Sequence, residues 1–187
     1  MRPEVRLIAL VAAWFAWVLP FVINRRKAAA KAPARVDPRA RWGIVLEMIG
    51  FGLVYMHGPN VWATPVPPSR AGLGALFGVF AITLVWTAVG HLGKQWRFDA
   101  GLNADHELIQ TGAYRVVRHP IYASMLGMLL MVIAWLGTLP AWPVGLACFI
   151  VGTEIRVRVE DALLRERFGD RFTAWQHTVS AYVPFVR

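Results

Sequence analysis

The sequence predicts an all-α integral membrane protein with five transmembrane helices. Hydrophobic residues make up 57% of the 187 positions and charged residues 17%, whereas soluble domains carry about 25% charged residues. Apolar runs of a length suited to crossing a bilayer recur along the chain. The formal net charge is +9, and its basic residues cluster between these runs. They therefore indicate contact with lipid headgroups rather than with nucleic acid.

Several classes of site are excluded by composition. The single cysteine, Cys148, lies in an apolar run, so no intrachain disulfide can form. Neither a C-x-x-C motif nor a closely spaced histidine set is present, so we expect no metal site. The five histidines also include no H-x-x-x-H pair, which argues against a membrane di-iron enzyme.

The first two predicted spans flank a basic linker. Residues 5–23 form a run of about 28 Å as a helix, close to the hydrocarbon thickness. We expect this helix to be retained, because it is long for a signal peptide and no small-residue cleavage site follows it. Residues 42–56 form a shorter span containing Glu47, whose burial in a membrane is costly. Either Glu47 has a function, or it reaches the interface or pairs with Arg41.

The third predicted span covers residues 71–90. Gly74 and Gly78 give it a small-x-x-x-small face suited to close helix packing. We expect the helix to continue through the amphipathic, basic residues 91–98 towards the water interface.

The last two spans are joined by a short connection. A fourth span is predicted over residues 120–138, and the five residues 139–143 are too few to cross a membrane, which predicts a tight helical hairpin. The fifth apolar run, 144–153, is too short to cross alone and must extend into the charged sequence beyond it. Helical spacing of apolar residues continues to Arg171.

The distribution of basic residues predicts the orientation. Segments 24–41, 91–119 and 154–187 contain 17 Lys and Arg residues, and the opposite side contains 3. The positive-inside rule then places the N-terminus outside and the C-terminus in the cytoplasm, which requires an odd number of spans. We expect the cytoplasmic membrane of a bacterium or archaeon.

The segment 106–122 is polar, basic and aromatic, with hydrophobic runs on both sides. Gly112 lets the backbone turn or approach a ligand closely. Pro120 suits the first turn of a helix, which places Arg118 and His119 at a helix N-terminus that favours anions.

The pattern in this segment, H-x-L-x-x-x-G-x-Y-R-x-V-R-H-P-x-Y, resembles the cofactor-binding segment of the isoprenylcysteine carboxyl methyltransferase family. Related phospholipid N-methyltransferases carry a looser version. A second block starts at Arg156 and resembles the family pattern R-[IV]-x-x-E-E-x-x-L-x-x-x-F-G, with Asp161 in place of the second Glu. The resemblance covers the chain from about Leu92 onwards.

The apolar runs predict one membrane domain, residues 1–187, with three spans in 1–90. The resemblance implies that residues 91–187 form the cofactor-binding and catalytic half. It implies a cytoplasmic pocket for S-adenosylmethionine, formed by the segment before helix 4 and the C-terminal extension of helix 5. Arg156 and Glu160 are the implied catalytic residues, and whether Glu160 or Asp161 is the key acid stays open. The implied cofactor-binding residues are His106, Leu108, Gly112, Tyr114, Arg118, His119, Pro120 and Tyr122.

The chain lacks the glycine-rich dinucleotide fingerprint and an alternating strand–helix pattern, which excludes a Rossmann-type methyltransferase. The implied reaction is methylation of a lipophilic acceptor that enters from the bilayer, most like carboxyl O-methylation of an isoprenylcysteine or a similar lipid acid. Two alternatives stay open. One is N-methylation of a phospholipid or another lipid O- or S-methylation. The other is a non-enzymatic lipid-binding protein, in which Arg156 and Glu160 form only an i,i+4 ion pair.

Overall fold

A computed structural model describes residues 1–28, 35–56, 61–97, 100–102, 106–137 and 141–184. Predictions that concern the end of the fourth span, the connection at 138–140 and the last three residues lie outside this part of the chain. Within it the fold is almost entirely helical, which confirms the all-α class. The two strands, Arg35–Val36 and Gly101–Leu102, form a short antiparallel ladder. The α-helices are α1 (Pro3–Ala28), α2 (Ala40–Tyr55), α3 (Pro68–Leu92), α4 (Pro120–Leu136), α5 (Ala141–Phe168) and α6 (Asp170–Thr178).

Two segments of the described chain are helical, long enough and apolar enough to cross a membrane: Pro3–Asn24 and Pro68–Gln95. The apolar helix α4 has 17 residues and α2 has 16. At these lengths they extend about 24–26 Å, somewhat less than a hydrocarbon core of about 30 Å. Two spans are therefore clear, and the five-span arrangement stays a prediction.

Two helix ends differ from the predicted ones, and glycine explains both. The third helix was expected to continue to residue 98, but it ends at Leu92 because Gly93 adopts φ +52° and a 3-10 turn follows. The fifth helix continues from Ala141 to Phe168, so its predicted extension is confirmed. It stops short of Arg171 because Gly169 adopts φ +53°, a conformation that L side chains rarely adopt, and α6 then begins.

The predicted small-residue face of α3 packs against α4. A Cβ atom at Gly78 would lie 2.7 Å from Sδ of Met131, and one at Gly74 would overlap the indole of Trp135. That indole donates a hydrogen bond to the carbonyl oxygen of Ala71 at 3.1 Å. The predicted role of the two glycines in close packing is confirmed, since only glycine leaves room for these side chains.

A second close helix contact, called below the glycine seam, joins α2 to α5 through facing glycines. Gly43 faces Gly152, and Gly50 faces Gly145. A Cβ atom at Gly50 would lie 2.6 Å from the carbonyl oxygen of Gly145, and one at Gly152 would lie 2.6 Å from that of Gly43. The two backbones therefore approach each other closely at both points. Because α5 packs mainly along α2 and α4 mainly along α3, few contacts join α4 to α5 despite their short connection.

Two basic residues of the predicted outer side bind the C-terminus of α4. Arg6 donates from Nη1 to the carbonyl oxygen of Trp135 at 3.2 Å, and its guanidinium lies 4.8 Å from the ring centroid of Trp62. Arg70 donates from Nε to the carbonyl oxygen of Ala134 at 2.9 Å. Cations are favourable at the negative end of a helix dipole. Arg6 thereby ties α1 to α4.

Candidate functional site

A cavity of about 780 Å³ lies between five parts of the chain: α1, α2, the segment before α4, the first turns of α4, and the middle of α5. Its volume falls in the range of about 300–1,000 Å³ that is usual for small-molecule sites. One end is lined by charged residues and the other by aromatic and aliphatic ones. These two ends are called below the polar end and the apolar leg. The polar end includes Arg97, His106, Arg118, His119, Arg156 and Glu160, and the apolar leg includes Trp14, Trp17, Val18, Met48, Phe51 and Tyr55.

The apolar leg lies between α1 and α2, two helices with few contacts between their backbones. Val18 on α1 and Met48 on α2 line the cavity and are 41% and 67% exposed, so the cavity reaches the outer surface between the two helices. Nε1 of Trp14 on α1 donates a hydrogen bond to the hydroxyl of Tyr55 on α2 at 2.7 Å. Trp14 also packs edge-to-face on Phe51 at 5.5 Å between ring centroids. These contacts join the two helices at the end of the leg.

The polar end is built where the start of α4 meets the charged part of α5. Arg156 and Glu160 are four residues apart, so they share one face of α5. His119 is the residue immediately before α4, whose first residue is Pro120, as the sequence predicts. The backbone is held there by the C-terminal segment, because the amide of His119 donates to the carbonyl oxygen of Ala181 at 2.7 Å.

Glu160 faces the cavity and is held by several groups. Its side chain is 26% exposed. The hydroxyl of Tyr122 donates a hydrogen bond to Oε1. Nδ1 of His119 lies 3.4 Å from Oε2, and Nη2 of Arg156 lies 3.9 Å from Oε1. The carboxylate is therefore both oriented and partly accessible.

Asp161 lies beside Glu160 in the sequence but has a different environment. Its side chain is only 4% exposed. Nε2 of His119 lies 2.8 Å from Oδ1, and Oδ2 is approached by Nη2 of Arg118 at 3.3 Å and Nε2 of Gln176 at 3.0 Å. Because consecutive helical residues point in directions about 100° apart, Glu160 lines the cavity and Asp161 binds the groups behind it.

His119 bridges these two carboxylates and is 5% exposed at its side chain. Burial lowers its pKa, but hydrogen bonds to Asp161 and Glu160 and their negative charges outweigh burial and raise the pKa to about 9. Burial raises the pKa of both acids, but the bonds and charge of His119, with nearby arginines, lower each of them overall. At neutral pH the bridge therefore consists of an imidazolium between two carboxylates.

The guanidinium of Arg118, which the sequence predicts as an anion-binding group, is engaged by other groups of the protein. Its side chain is buried, with Asp161 as its ion-pair partner. Nη1 donates to the carbonyl oxygen of Val179 and, at 3.1 Å, to that of Gln176. The guanidinium thus fastens the end of α6 to the segment before α4, although the residue touches the cavity wall.

Arg156 reaches across to α2. Its Nη1 lies 3.5 Å from Oε2 of Glu47, and its guanidinium carbon lies 5.2 Å from the ring centroid of Tyr122. Thr153 donates a hydrogen bond to Oε1 of Glu47 at 3.1 Å. Glu47 is buried and lines the cavity. The partner of Glu47 is thus Arg156, and the alternative that it pairs with Arg41 is wrong.

The sequence profile of the isoprenylcysteine carboxyl methyltransferase (ICMT) family matches residues 74–166. A solved structure of the eukaryotic intramembrane Ras methyltransferase ICMT aligns with a TM-score of 0.56 and 20% sequence identity. Residues 74–166 thus carry the sequence pattern of the isoprenylcysteine carboxyl methyltransferase family. The alignment covers 81% of this chain and 54% of the solved one, so the chain spans about half the length of that protein. At this identity the likeness concerns the fold. No curated protein matches the chain.

Most residues implied by the ICMT resemblance meet at this one cavity. Those that line it are His106, Leu108, Tyr114, Arg118, His119, Pro120, Tyr122, Arg156 and Glu160. Gly112 is absent from the wall. Its φ is +60°, and a Cβ atom there would overlap the ring of His91, so the glycine serves the local turn and packing. Tyr114 is buried, and burial raises the pKa of its phenol.

Sequence reasoning missed the residues of the apolar leg. Trp14 and Trp17 on α1 and Phe51 and Tyr55 on α2 line it, but they lie outside both ICMT motif blocks. In the sequence they are ordinary aromatic residues of apolar spans. The sequence feature that could have pointed to them is Glu47, an ionisable residue in the same apolar span as Phe51 and Tyr55.

Proposed function

We propose that this chain is an S-adenosylmethionine-dependent methyltransferase whose acceptor is a lipophilic molecule that enters from the bilayer. One observation carries the proposal. A single cavity connects His119, Arg156 and Glu160 to an apolar leg that reaches the outer surface between α1 and α2. A site for a purely water-soluble acceptor has no need of such a leg. The methyltransferase family pattern of residues 74–166 supplies the reaction class.

The polar end suits the cofactor, which carries an amine, a carboxylate, an adenosine and a sulfonium. Glu160 offers a partly exposed carboxylate to a cation, and Arg97 and His119 line the same cavity as positive groups. We assign the cofactor to the wall formed by the residues from His106 to Tyr122 that line the cavity. Arg118 belongs to this wall and also binds the C-terminal segment, whereas Gly112 acts indirectly, through the turn. When bound, S-adenosylmethionine supplies an electrophilic methyl group.

The residues of this chain contribute mainly position and charge. His119 and Tyr122 orient the carboxylate of Glu160, which can stabilise positive charge nearby. Arg156 lies beside it and orients an anionic acceptor head. A carboxylate acceptor has no proton to lose, so no general base is needed. Burial of the polar end excludes water, and alignment of the two reactants provides most of the acceleration.

The dimensions of the apolar leg favour an acceptor with a polar head and a hydrocarbon tail. Glu47 and Tyr55 are eight residues apart on α2, a rise of about 12 Å. The leg therefore spans less than half of a hydrocarbon core of about 30 Å. A longer tail would leave it sideways, past Val18 and Met48. Carboxyl O-methylation of an isoprenylcysteine or a similar lipid acid is the reaction we place here.

A second class of acceptor is supported by a separate observation. Two carboxylates, Glu47 and Glu160, flank the single guanidinium of Arg156. Both carboxylates line the cavity together with the ring of Tyr122, and carboxylates beside an aromatic ring suit a cationic head, as in N-methylation of an amine-bearing phospholipid. We also propose that the polar end faces the cytoplasm, since the positive-inside rule places both motif blocks on that side.

The test is methyl transfer from labelled S-adenosylmethionine by protein purified in detergent and reconstituted in lipid. The acceptors are an S-prenylated N-acylcysteine and a total lipid extract, and mass spectrometry identifies the product. A base-labile label indicates a methyl ester, and a base-stable one indicates N-, S- or ether O-methylation, which the mass of the product distinguishes. Arg158→Ala is the matched control for Arg156→Ala, because Arg158 lies on the same helix with its side chain 73% exposed. Failure to bind S-adenosylmethionine and to transfer methyl to any acceptor would refute the proposal.

A further inference from the structure

Glu47 is a buried carboxylate in an apolar helix, it lines the cavity, and it belongs to neither ICMT motif block. An ionisable residue at such a position is costly and marks a functional site by default. We propose that Glu47 is a positioning residue that holds the guanidinium of Arg156 in the orientation needed to bind the acceptor head. The proposal rests on the proposed function in placing the acceptor in this cavity.

Both oxygens of Glu47 are engaged by the same face of α5. Oε1 accepts the hydroxyl hydrogen of Thr153 at 3.1 Å, and Oε2 lies 3.5 Å from Nη1 of Arg156. Thr153 and Arg156 are three residues apart, so they are neighbours on the helix surface. The threonine therefore fixes the rotation of the carboxylate that faces the arginine.

The glycine seam brings the two helices close enough for this contact. Gly43 and Gly50 lie four residues before and three residues after Glu47, and each faces a glycine of α5. Close backbone approach on both sides of Glu47 leaves its side chain facing α5 with little freedom. A larger residue in place of any of these glycines would separate the helices and lengthen the contact between Glu47 and Arg156.

The guanidinium of Arg156 is thus contacted from three helices. Glu47 on α2 faces Nη1 and Glu160 on α5 faces Nη2, while the ring of Tyr122 on α4 lies 5.2 Å from the guanidinium carbon. Without the charge of Glu47, the ion pair with Glu160 remains, and it lies on the cofactor side. We therefore expect the guanidinium to turn towards Glu160 and away from the acceptor head.

The experiment measures acceptor binding separately from methyl transfer. Trp14 and Trp17 line the cavity, so their fluorescence reports binding of an S-prenylated N-acylcysteine at equilibrium. Glu47→Gln should weaken this binding and slow single-turnover transfer by about 10- to 100-fold, with cofactor affinity unchanged. Glu154→Gln is the matched control, because Glu154 pairs with Arg158 on the same helix as Arg156 but does not line the cavity.

A double-mutant cycle with Arg156→Gln distinguishes positioning from a general structural effect. If Glu47 acts through Arg156, the double variant should bind the acceptor no more weakly than Arg156→Gln alone. Additive losses, or unchanged binding in Glu47→Gln, would overturn the proposal. Thr153→Val removes the orienting hydrogen bond and should give a smaller loss in the same direction, which keeps the test decisive if Glu47→Gln does not fold. A wild-type protein without methyl transfer would refute the proposed function, and the binding cycle would still decide the role of Glu47.

Discussion

Because of the imidazolium bridge at His119, we expect the protein to lose stability at alkaline pH. The folded-state pKa of His119 is about 9, above the ordinary value of 6.5. The stabilisation is therefore present in full below pH 6.5 and is lost as the pH rises through 9. The difference between the two pKa values corresponds to about 3 kcal/mol. For a chain of this size that is a change in melting temperature of roughly 6–12 °C.

The measurement is thermal unfolding of the protein in detergent micelles at several pH values between 6.5 and 10. His119→Gln keeps a polar side chain but loses the titrating charge, so it should melt lower at pH 6.5 and lose less stability as the pH rises. His177→Gln is the control, because His177 is exposed on α6. The difference between the profiles of His119→Gln and His177→Gln cancels the titration of the other basic groups, because both variants contain those groups. Parallel profiles for wild type and His119→Gln would refute the assignment of the bridge.

Two further predictions concern activity and topology. Arg156→Ala should lower single-turnover methyl transfer by about two orders of magnitude. Arg156→Lys should retain only part of the activity, because lysine lacks the planar fork of arginine. Near-normal turnover, or a loss equal to that of Arg158→Ala, would contradict this. Reporter fusions after Arg35 and at Arg187 should be cytoplasmic and one after Pro67 external, since basic residues mark the cytoplasmic side. An external C-terminus would contradict the five-span arrangement.

The helices could be predicted because their causes are local. Apolar runs set their existence, and Pro120 starts α4 at the predicted residue because proline suits a first helical turn. The ends of α3 and α5 were placed too late. Gly93 and Gly169 fall within the predicted helical stretches, and their positive φ values end the helices there.

The site could be predicted only where its members share a local pattern. The four-residue spacing of Arg156 and Glu160 places them on one helix face, as found. The same spacing cannot say that Arg156 also reaches Glu47, because the two are 109 residues apart and only the packing of α2 on α5 joins them. The apolar leg is likewise a space between helices, which no motif encodes.

By itself the sequence determined the class of the protein, its helices and the two motif blocks, because hydropathy, proline and residue spacing act over a few turns of chain. The tertiary structure decided which of two adjacent acids faces the cavity. Glu160 and Asp161 are chemically alike and consecutive, but the rotation of one helical residue turns Glu160 to the cavity and Asp161 to Arg118. A polar side chain takes its role from the neighbours that folding brings to it, and those neighbours come from distant parts of the chain.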